Sequence, residues 1–311
     1  MKNTTLTETS PLNLLPVVLR ARDFRLYTQG GGRLVDLWQC GGRSILGHNP
    51  AGVLRELKNS ANRGLFSPLP HPLERRLVKA LSRLIPRRNF RFYTERSALD
   101  QALEAAGFPR TESFPDPVFD PGADSGTLAG NPAGDAGPGL WRPFLEPAPE
   151  GETETPSPLL IPILPWPLAP WVLALEPALE DRFAPSQPVS PVLLAAAVRA
   201  VYDLIAAGPG GGRPVYPRIN HALYGTPPGL TNPWRRRGPY LVYAPLQMPS
   251  YGDPQDHRTQ APPASWETLF RNFLREGFLI PPEPTEPLIL PGTLSPGEEA
   301  KLAALLGPEK C

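Results

Sequence analysis

The sequence predicts an α/β fold, in which strands and amphipathic helices alternate along the chain. Short apolar runs bounded by glycine or charge, at residues 33–38 and 90–93, are typical of strands. The leucines of residues 73–84 recur at helical spacing directly after Pro72, which is suited to a first helical turn. Hydrophobic residues make up 41% of the 311 residues, which is enough for a core in one large or two ordinary domains.

Residues 1–108 are predicted to form an N-terminal segment and the start of a large domain. A short helix with Val53 and Leu57 on its apolar face precedes the helix of residues 73–84. After the strand at 90–93, a further helix is predicted with Leu99 and Leu103 on its buried face, ending at Gly107.

Residues 109–158 are predicted to be an irregular insert or linker. Asp, Gly, Pro, Ala and Ser dominate, and no apolar period lasts a full helical turn. Proline accounts for 45 of the 311 residues, whereas an average chain has roughly 5% proline. The acidic side chains of this stretch are predicted to be ordinary solvated groups: Asp116, Asp120, Asp124 and Asp135.

Residues 159–238 are predicted to be the remainder of the large domain. The charge-free stretch 159–175 contains four prolines and is shorter than the ~20 residues of a membrane-spanning helix. It therefore favours two buried strands joined by turns. Ser190 and Pro191 are suited to the N-cap and first position of a buried helix over 192–205.

Residues 239–311 are predicted to be a small α+β C-terminal domain. A strand at 240–243 precedes an amphipathic helix over 266–274 that ends at Gly277, followed by strands at 278–280 and 288–290. Ser295 and Glu298 have the spacing of a capping box, which predicts a final helix.

Charge and cysteine content narrow the class of protein. The chain has 31 basic and 30 acidic residues, so its overall balance predicts neither a nucleic-acid nor a membrane partner. Cys40 and Cys311 are too few for a disulfide framework, and the first 20 residues lack a signal-peptide pattern. We therefore expect a cytoplasmic protein.

Other candidate motifs have simple structural interpretations. Histidines 48, 71, 221 and 257 are scattered, so no metal site is predicted. Cys40 is interpreted as a small, partly buried residue beside Gly41. Residues 208–213 are glycine-rich but lack the Gly-Lys-Ser/Thr of a P-loop. The basic run 234–237 is interpreted as a solvated loop, with binding of an anion or RNA as the alternative.

Two blocks of the sequence follow the pattern of a known family. The first is the glycine turn and strand at 30–36 followed by Leu-Gly-His-Asn-Pro at 46–50. The second comprises Ser190-Pro191 with its alanine-rich helix, and residues 266–291. In this order the blocks resemble class III aminotransferases that depend on pyridoxal 5′-phosphate (PLP), in particular the glutamate-1-semialdehyde aminomutase branch. The resemblance implies a type I PLP-dependent transferase fold with a truncated large domain and a small C-terminal domain.

The resemblance also implies where the family's cofactor site would fall. The family's Ser-Gly-Thr phosphate turn corresponds to Glu95, Arg96 and Ser97, of which Arg96 and Ser97 are a weak remnant. Glu95 repels a phosphate, and Arg96 stands where glycine permits close backbone approach. The family's Schiff-base lysine should lie between residues 108 and 190, where this sequence has no lysine. Lys58 and Lys79 are interpreted as solvated surface residues.

We therefore expect no catalytic residue and no bound cofactor. The leading hypothesis is a non-catalytic pseudoenzyme, a binding or scaffolding protein that forms a homodimer, or a heterodimer with a true aminotransferase. The alternative is a PLP-dependent aminotransferase or aminomutase whose rearranged site uses Arg96 and Ser97. A decayed gene product without selected activity is the third possibility.

Overall fold

The computed structural model describes residues 10–108, 111, 114–119, 137–146, 157–208, 214–225, 232–243 and 265–307. The strands in these ranges are β1 (Val18–Arg22), β2 (Arg25–Thr28), β3 (Arg33–Asp36), β4 (Asn89–Tyr93), β5 (Gly139–Trp141), β6 (Leu159–Pro162), β7 (Trp171–Leu175), β8 (Trp234–Arg237), β9 (Tyr240–Tyr243), β10 (Phe278–Leu279) and β11 (Leu288–Ile289). The helices are α1 (Ala51–Ala61), α2 (Leu73–Leu84), α3 (Arg96–Ala105), α4 (Pro191–Ala207), α5 (Pro217–Tyr224), α6 (Trp266–Arg275) and α7 (Pro296–Leu306).

The chain divides into two compact units. The central unit comprises residues 42–213 with 237–239, and the composite unit comprises residues 1–41, 214–236 and 240–311. The composite unit thus joins segments from both ends of the chain. The sequence predicts four segments with boundaries at 108, 158 and 238, on the basis of composition and family resemblance. These boundaries stay a prediction.

The central unit contains a mixed four-stranded sheet in the order β4-β7-β6-β5. β7 pairs antiparallel with both β4 and β6, whereas β5 pairs parallel with β6. The prediction that residues 159–175 form two buried strands is confirmed, because β6 and β7 both lie in this sheet.

Alternation along the strands determines what covers each face of this sheet. Phe90 and Phe92 of β4 join a core with α2 and α4, whereas Tyr93 joins a second core with α3. Val172 and Leu173 of β7 alternate in the same way. Both faces are therefore apolar and covered by helices.

The predicted helix after Ser190 is confirmed as α4, and ten of its residues are buried. Ser190 is the N-cap and Pro191 begins the helix, as predicted, but the Ser190 side chain makes no capping hydrogen bond. Its hydroxyl instead donates to the carbonyl oxygen of Leu65 at 3.3 Å, which ties the start of α4 to the chain between α1 and α2.

The composite unit contains two sheets, in the orders β1-β2-β3-β10 and β11-β9-β8. Its core joins Phe270 and Phe273 of α6 with Leu302 and Leu306 of α7. The predicted capping box is confirmed: Ser295 accepts from the backbone N–H of Glu298, and the Glu298 side chain accepts from the N–H of Ser295.

Residues 234–237 form strand β8, so their interpretation as a solvated loop is wrong. Trp234 is buried, with its ring centroid 4.9 Å from that of Tyr243 and 6.0 Å from that of Phe273. The burial of Trp234 therefore stabilises a strand here, although three arginines follow it. Within the described ranges, no helix is long and apolar enough to cross a membrane.

Candidate functional site

The candidate site lies where β4 ends and α3 begins, in the central unit. Glu95 is the N-cap of α3, but no side-chain hydrogen bond caps this helix. Glu95 and Ser97 are exposed, whereas Arg96 between them is half-buried. The structure therefore brings Arg96 and Ser97 to a helix N-terminus, as predicted, and places a carboxylate beside them.

The Arg96 guanidinium is already engaged by the protein. Its Nε donates to Asp100 Oδ1 at 2.7 Å, and its Nη2 donates to the carbonyl oxygen of Thr111 at 3.3 Å. The Phe114 ring centroid lies 3.8 Å from its central carbon, which is a cation–π distance. These contacts hold the chain around residues 111 and 114 against α3.

A second guanidinium lies near the same region. The central carbon of Arg43 is 4.1 Å from the Trp171 ring centroid, and that of Arg96 is 5.7 Å from it. Arg43 is nearly buried, and its Nη1 donates to the carbonyl oxygens of Pro167 and Ala169 at 3.3 and 3.2 Å. No local sequence pattern predicts this cluster, because its members lie far apart along the chain.

Tyr93, at the end of β4, is 3% exposed, and its hydroxyl has no hydrogen-bond partner among the described residues. Burial raises the pKa of this phenol. The phenol therefore stays protonated at neutral pH and cannot serve as a general base there.

The interpretation of Asp116 as a solvated carboxylate is wrong. Its side chain is 7% exposed and pairs with Arg142, which is 3% exposed. Arg142 Nη2 lies 2.6 Å from Asp116 Oδ2, and Nε lies 2.8 Å from Oδ1. A buried carboxylate requires such a partner, which composition alone does not reveal. Asp120, Asp124 and Asp135 lie outside the described residues.

The described lysines lie on helices α1, α2 and α7. Lys58, Lys79 and Lys301 are all exposed, which agrees with the interpretation of the first two as surface residues. The sequence contains no lysine between Lys79 and Lys301.

The remaining candidates are dispersed. His48 precedes α1, His71 Nδ1 accepts from the backbone N–H of Leu73 at 3.2 Å, and His221 lies on α5. No group of three His, Cys, Asp or Glu that would suit a metal lies within the described part of the chain. Cys40 is half-buried and has a left-handed backbone at φ 53°. His257 and residues 209–213 lie outside the described ranges.

The fold is that of PLP-dependent aminotransferases. An omega-transaminase from Sphaerobacter thermophilus is 12% identical with a TM-score of 0.60, and covers 94% of this chain and 90% of its own. Ornithine delta-aminotransferase from Plasmodium falciparum is 10% identical with a TM-score of 0.63, and covers 97% and 94%. A transaminase with PLP bound is 15% identical with a TM-score of 0.59, and covers 98% and 92%. At these identities the similarity establishes the fold alone.

Two proteins are similar to this chain in sequence. An uncharacterized protein of Treponema pallidum is 31% identical over 195 residues, which is 61% of this chain and 54% of that protein. An uncharacterized protein of Borreliella burgdorferi is 42% identical over 64 residues, which is 21% of this chain and 24% of that protein. The match thus spans about half of the first relative and a quarter of the second. No family model matches the chain.

The described residues at the α3 start do not fit PLP. The cofactor needs donors for its phosphate and an amine for its aldehyde. Here the helix begins with the carboxylate of Glu95, and Arg96 is committed to Asp100, Thr111 and Phe114. None of the described lysines lies on β4, α3 or the strands beside them.

Proposed function

We propose that the chain is a non-catalytic protein of the aminotransferase fold that acts as a binding or scaffolding protein. The observation that carries the proposal is the absence of any lysine between Lys79 and Lys301. A primary amine is what captures the cofactor's aldehyde in this class of enzyme. We also propose, on the sequence resemblance, that the chain derives from the glutamate-1-semialdehyde aminomutase branch and that it is cytoplasmic.

A titration with PLP tests this proposal. Purified protein mixed with PLP should show no new aldimine absorbance, because the exposed lysines offer no site that holds the phosphate. The paired variant Glu95→Ser/Arg96→Gly restores the small, uncharged start of α3 that favours phosphate binding. It should bind PLP measurably more tightly than the wild-type chain, without forming an aldimine.

The rival function, a PLP-dependent enzyme with a rearranged site, has one supporting observation. Ser97 is exposed in the first turn of α3, where its hydroxyl is available to a phosphate. An aldimine band in the wild-type chain that is weakened by Ser97→Ala would support this rival and reject the non-catalytic proposal.

We further propose that the chain self-associates, or pairs with a true aminotransferase, through exposed apolar residues of the central unit. Phe66 and Leu69, between α1 and α2, are 63% and 61% exposed. Large exposed apolar side chains close together in sequence favour a protein interface.

Sedimentation measurements test this association. Phe66→Ser/Leu69→Ser should shift an oligomer of the wild-type chain towards the monomer. Val215→Ser/Tyr224→Ser removes two comparably exposed apolar side chains of the composite unit and serves as the matched control. Equal effects of both variants would reject the assignment of the interface.

A further inference from the structure

The outer face of α2 carries a concentrated positive charge, which the nearly neutral net charge of the whole chain does not indicate. Residues 73–88 contain six basic residues and one acidic residue, whereas the entire chain has a net charge of +1. Five of the six basic side chains are exposed, and they are Arg75, Arg76, Lys79, Arg83 and Arg87. The sixth, Arg88, is bound to the carbonyl oxygens of Ser157 and Pro158 at 2.9 and 2.6 Å.

The five exposed cations have no acidic partner among the described residues. Arg75, Lys79 and Arg83 follow one another at every fourth position, so they form a stripe along one side of the helix with steps of about 6 Å. The opposite side, with Leu77 and Leu81, is fully buried in the core. The stripe is therefore fixed towards solvent.

We infer that this stripe, with Arg76 and Arg87, docks the phosphate backbone of a double-stranded nucleic acid. Its regular spacing is comparable to that of successive phosphates along one strand. Four of the five cations in the stripe and beside it are arginines, whose planar guanidinium groups match phosphate oxygens in pairs. This inference concerns a surface distinct from the α3 start, and it goes beyond the proposed lack of catalysis.

Other occupants suit the face less well. A second copy would place the same cations opposite each other in a symmetric interface, which is repulsive. A helix that binds a bilayer surface combines cations with exposed apolar side chains. Val78 and Leu84 of α2 are instead half-buried against the core. Protein interfaces centre on aromatic anchors, and α2 has none.

The same composition predicts how the nucleic acid is bound. With no aromatic side chain for stacking on bases, α2 contacts phosphates only, so binding is independent of sequence. Each neutralised phosphate releases counterions, so the logarithm of affinity falls with the logarithm of salt concentration, with a slope of about −0.9 per contact for DNA. Three to five contacts predict a slope of about −2.7 to −4.5.

Fluorescence anisotropy with labelled DNA and RNA duplexes of about 20 base pairs, between ~50 and ~200 mM salt, tests the inference. The wild-type chain should bind with that slope. Arg75→Gln/Lys79→Gln/Arg83→Gln should bind at least about tenfold more weakly and reduce the slope by about three, because three phosphate contacts are lost. All three side chains are exposed, so the variant should keep the circular dichroism spectrum of the folded chain.

The matched control is Arg22→Gln/Arg235→Gln/Arg275→Gln, which removes three exposed cations outside α2. It should retain wild-type affinity within about twofold. No binding of either duplex at ~50 mM salt would overturn the inference. An equal loss of duplex affinity in the control variant would also overturn the inference. So would binding to phosphatidylserine vesicles or polyglutamate that depends on α2, if the chain bound neither duplex.

Discussion

At the scale of single residues, Glu298 links helix α7 to two strands of the composite unit through ion pairs. Its carboxylate accepts from Arg25 of β2 at 2.6 and 3.0 Å, and Arg33 of β3 lies 3.2 Å away. Burial raises the pKa of Glu298, but the hydrogen bonds from Arg25 and Ser295 outweigh burial and hold the pKa at about 2, below its ordinary 4.5. The residue thereby ties the start of α7 to the sheet of the composite unit.

This coupling predicts a defined loss of stability in acid. Because the folded pKa lies below the unfolded one, Glu298 stabilises the fold above pH 4.5 and loses this contribution as the pH falls towards 2. The shift corresponds to about 3 kcal/mol. Glu298→Gln should lower the free energy of urea unfolding by up to this amount at neutral pH and flatten its dependence on pH below 4.5. Glu267→Gln alters an exposed pair with Arg271 and should have little effect.

The buried pair of Asp116 and Arg142 predicts a second effect at this scale. Arg142→Met leaves a buried carboxylate without its partner and should cost about 3–5 kcal/mol. Asp116→Leu/Arg142→Met removes both charges and should be less destabilising than the single variant, as measured by thermal unfolding. A double variant that is less stable than Arg142→Met would contradict this account of the pair.

The same pair illustrates what sequence leaves hidden. Asp116 and Arg142 lie in a stretch with no apolar period, 26 positions apart, so nothing local indicates that they meet. The capping box of Ser295 and Glu298 was predictable, because both partners lie within one helical turn.

At the scale of secondary-structure elements, the hairpin of β8 and β9 depends on one glycine. Gly238 has a φ of +58°, and a Cβ there would lie 2.5 Å from the carbonyl oxygen of Phe144. Gly238→Ala should therefore destabilise the fold by at least about 2 kcal/mol, because both the strained backbone and the clash act against it. Thermal unfolding measures the loss.

Gly297, in the first turn of α7, is a matched control for that substitution. A Cβ there meets no atom within 4 Å, and its φ is not left-handed. Gly297→Ala should leave stability unchanged or raise it by up to about 1 kcal/mol, because alanine favours the helix. Equal losses at Gly238 and Gly297 would contradict the geometric explanation.

The pattern of apolar residues was enough to predict most helices and strands, including β6, β7 and α4, because burial follows periodicity. The apolar pattern did not predict β8, because three consecutive arginines follow Trp234 in this strand. Charged side chains are tolerated in a strand when they reach solvent or an acceptor: Arg235 is exposed, and Arg237 donates to the carbonyl oxygens of Pro117 and Glu146.

At the scale of the whole molecule, the two units differ in how many separate segments of the chain form them. The central unit is built from one continuous stretch with a short return at 237–239, whereas the composite unit joins three separated segments. The sequence resemblance predicted the fold, because its glycine turns and helix starts occur in the family's order. It did not predict the composite unit, since the pairing of β3 with β10 joins residues about 240 positions apart.

The candidate site was predictable only in its position. The resemblance placed Arg96 and Ser97 at a helix N-terminus, and the structure agrees. The engagement of Arg96 by Asp100, Thr111 and Phe114 depends on tertiary contacts that no spacing reveals. The charged stripe of α2 was likewise hidden by the balanced total charge.

The intact mass of the chain after treatment with equimolar PLP and borohydride tests directly whether any lysine of this protein captures the cofactor. We expect an unmodified mass, because none of the described lysines lies on β4 or α3. One phosphopyridoxyl group per chain, mapped to a single lysine and abolished when that lysine is replaced by arginine, would contradict it.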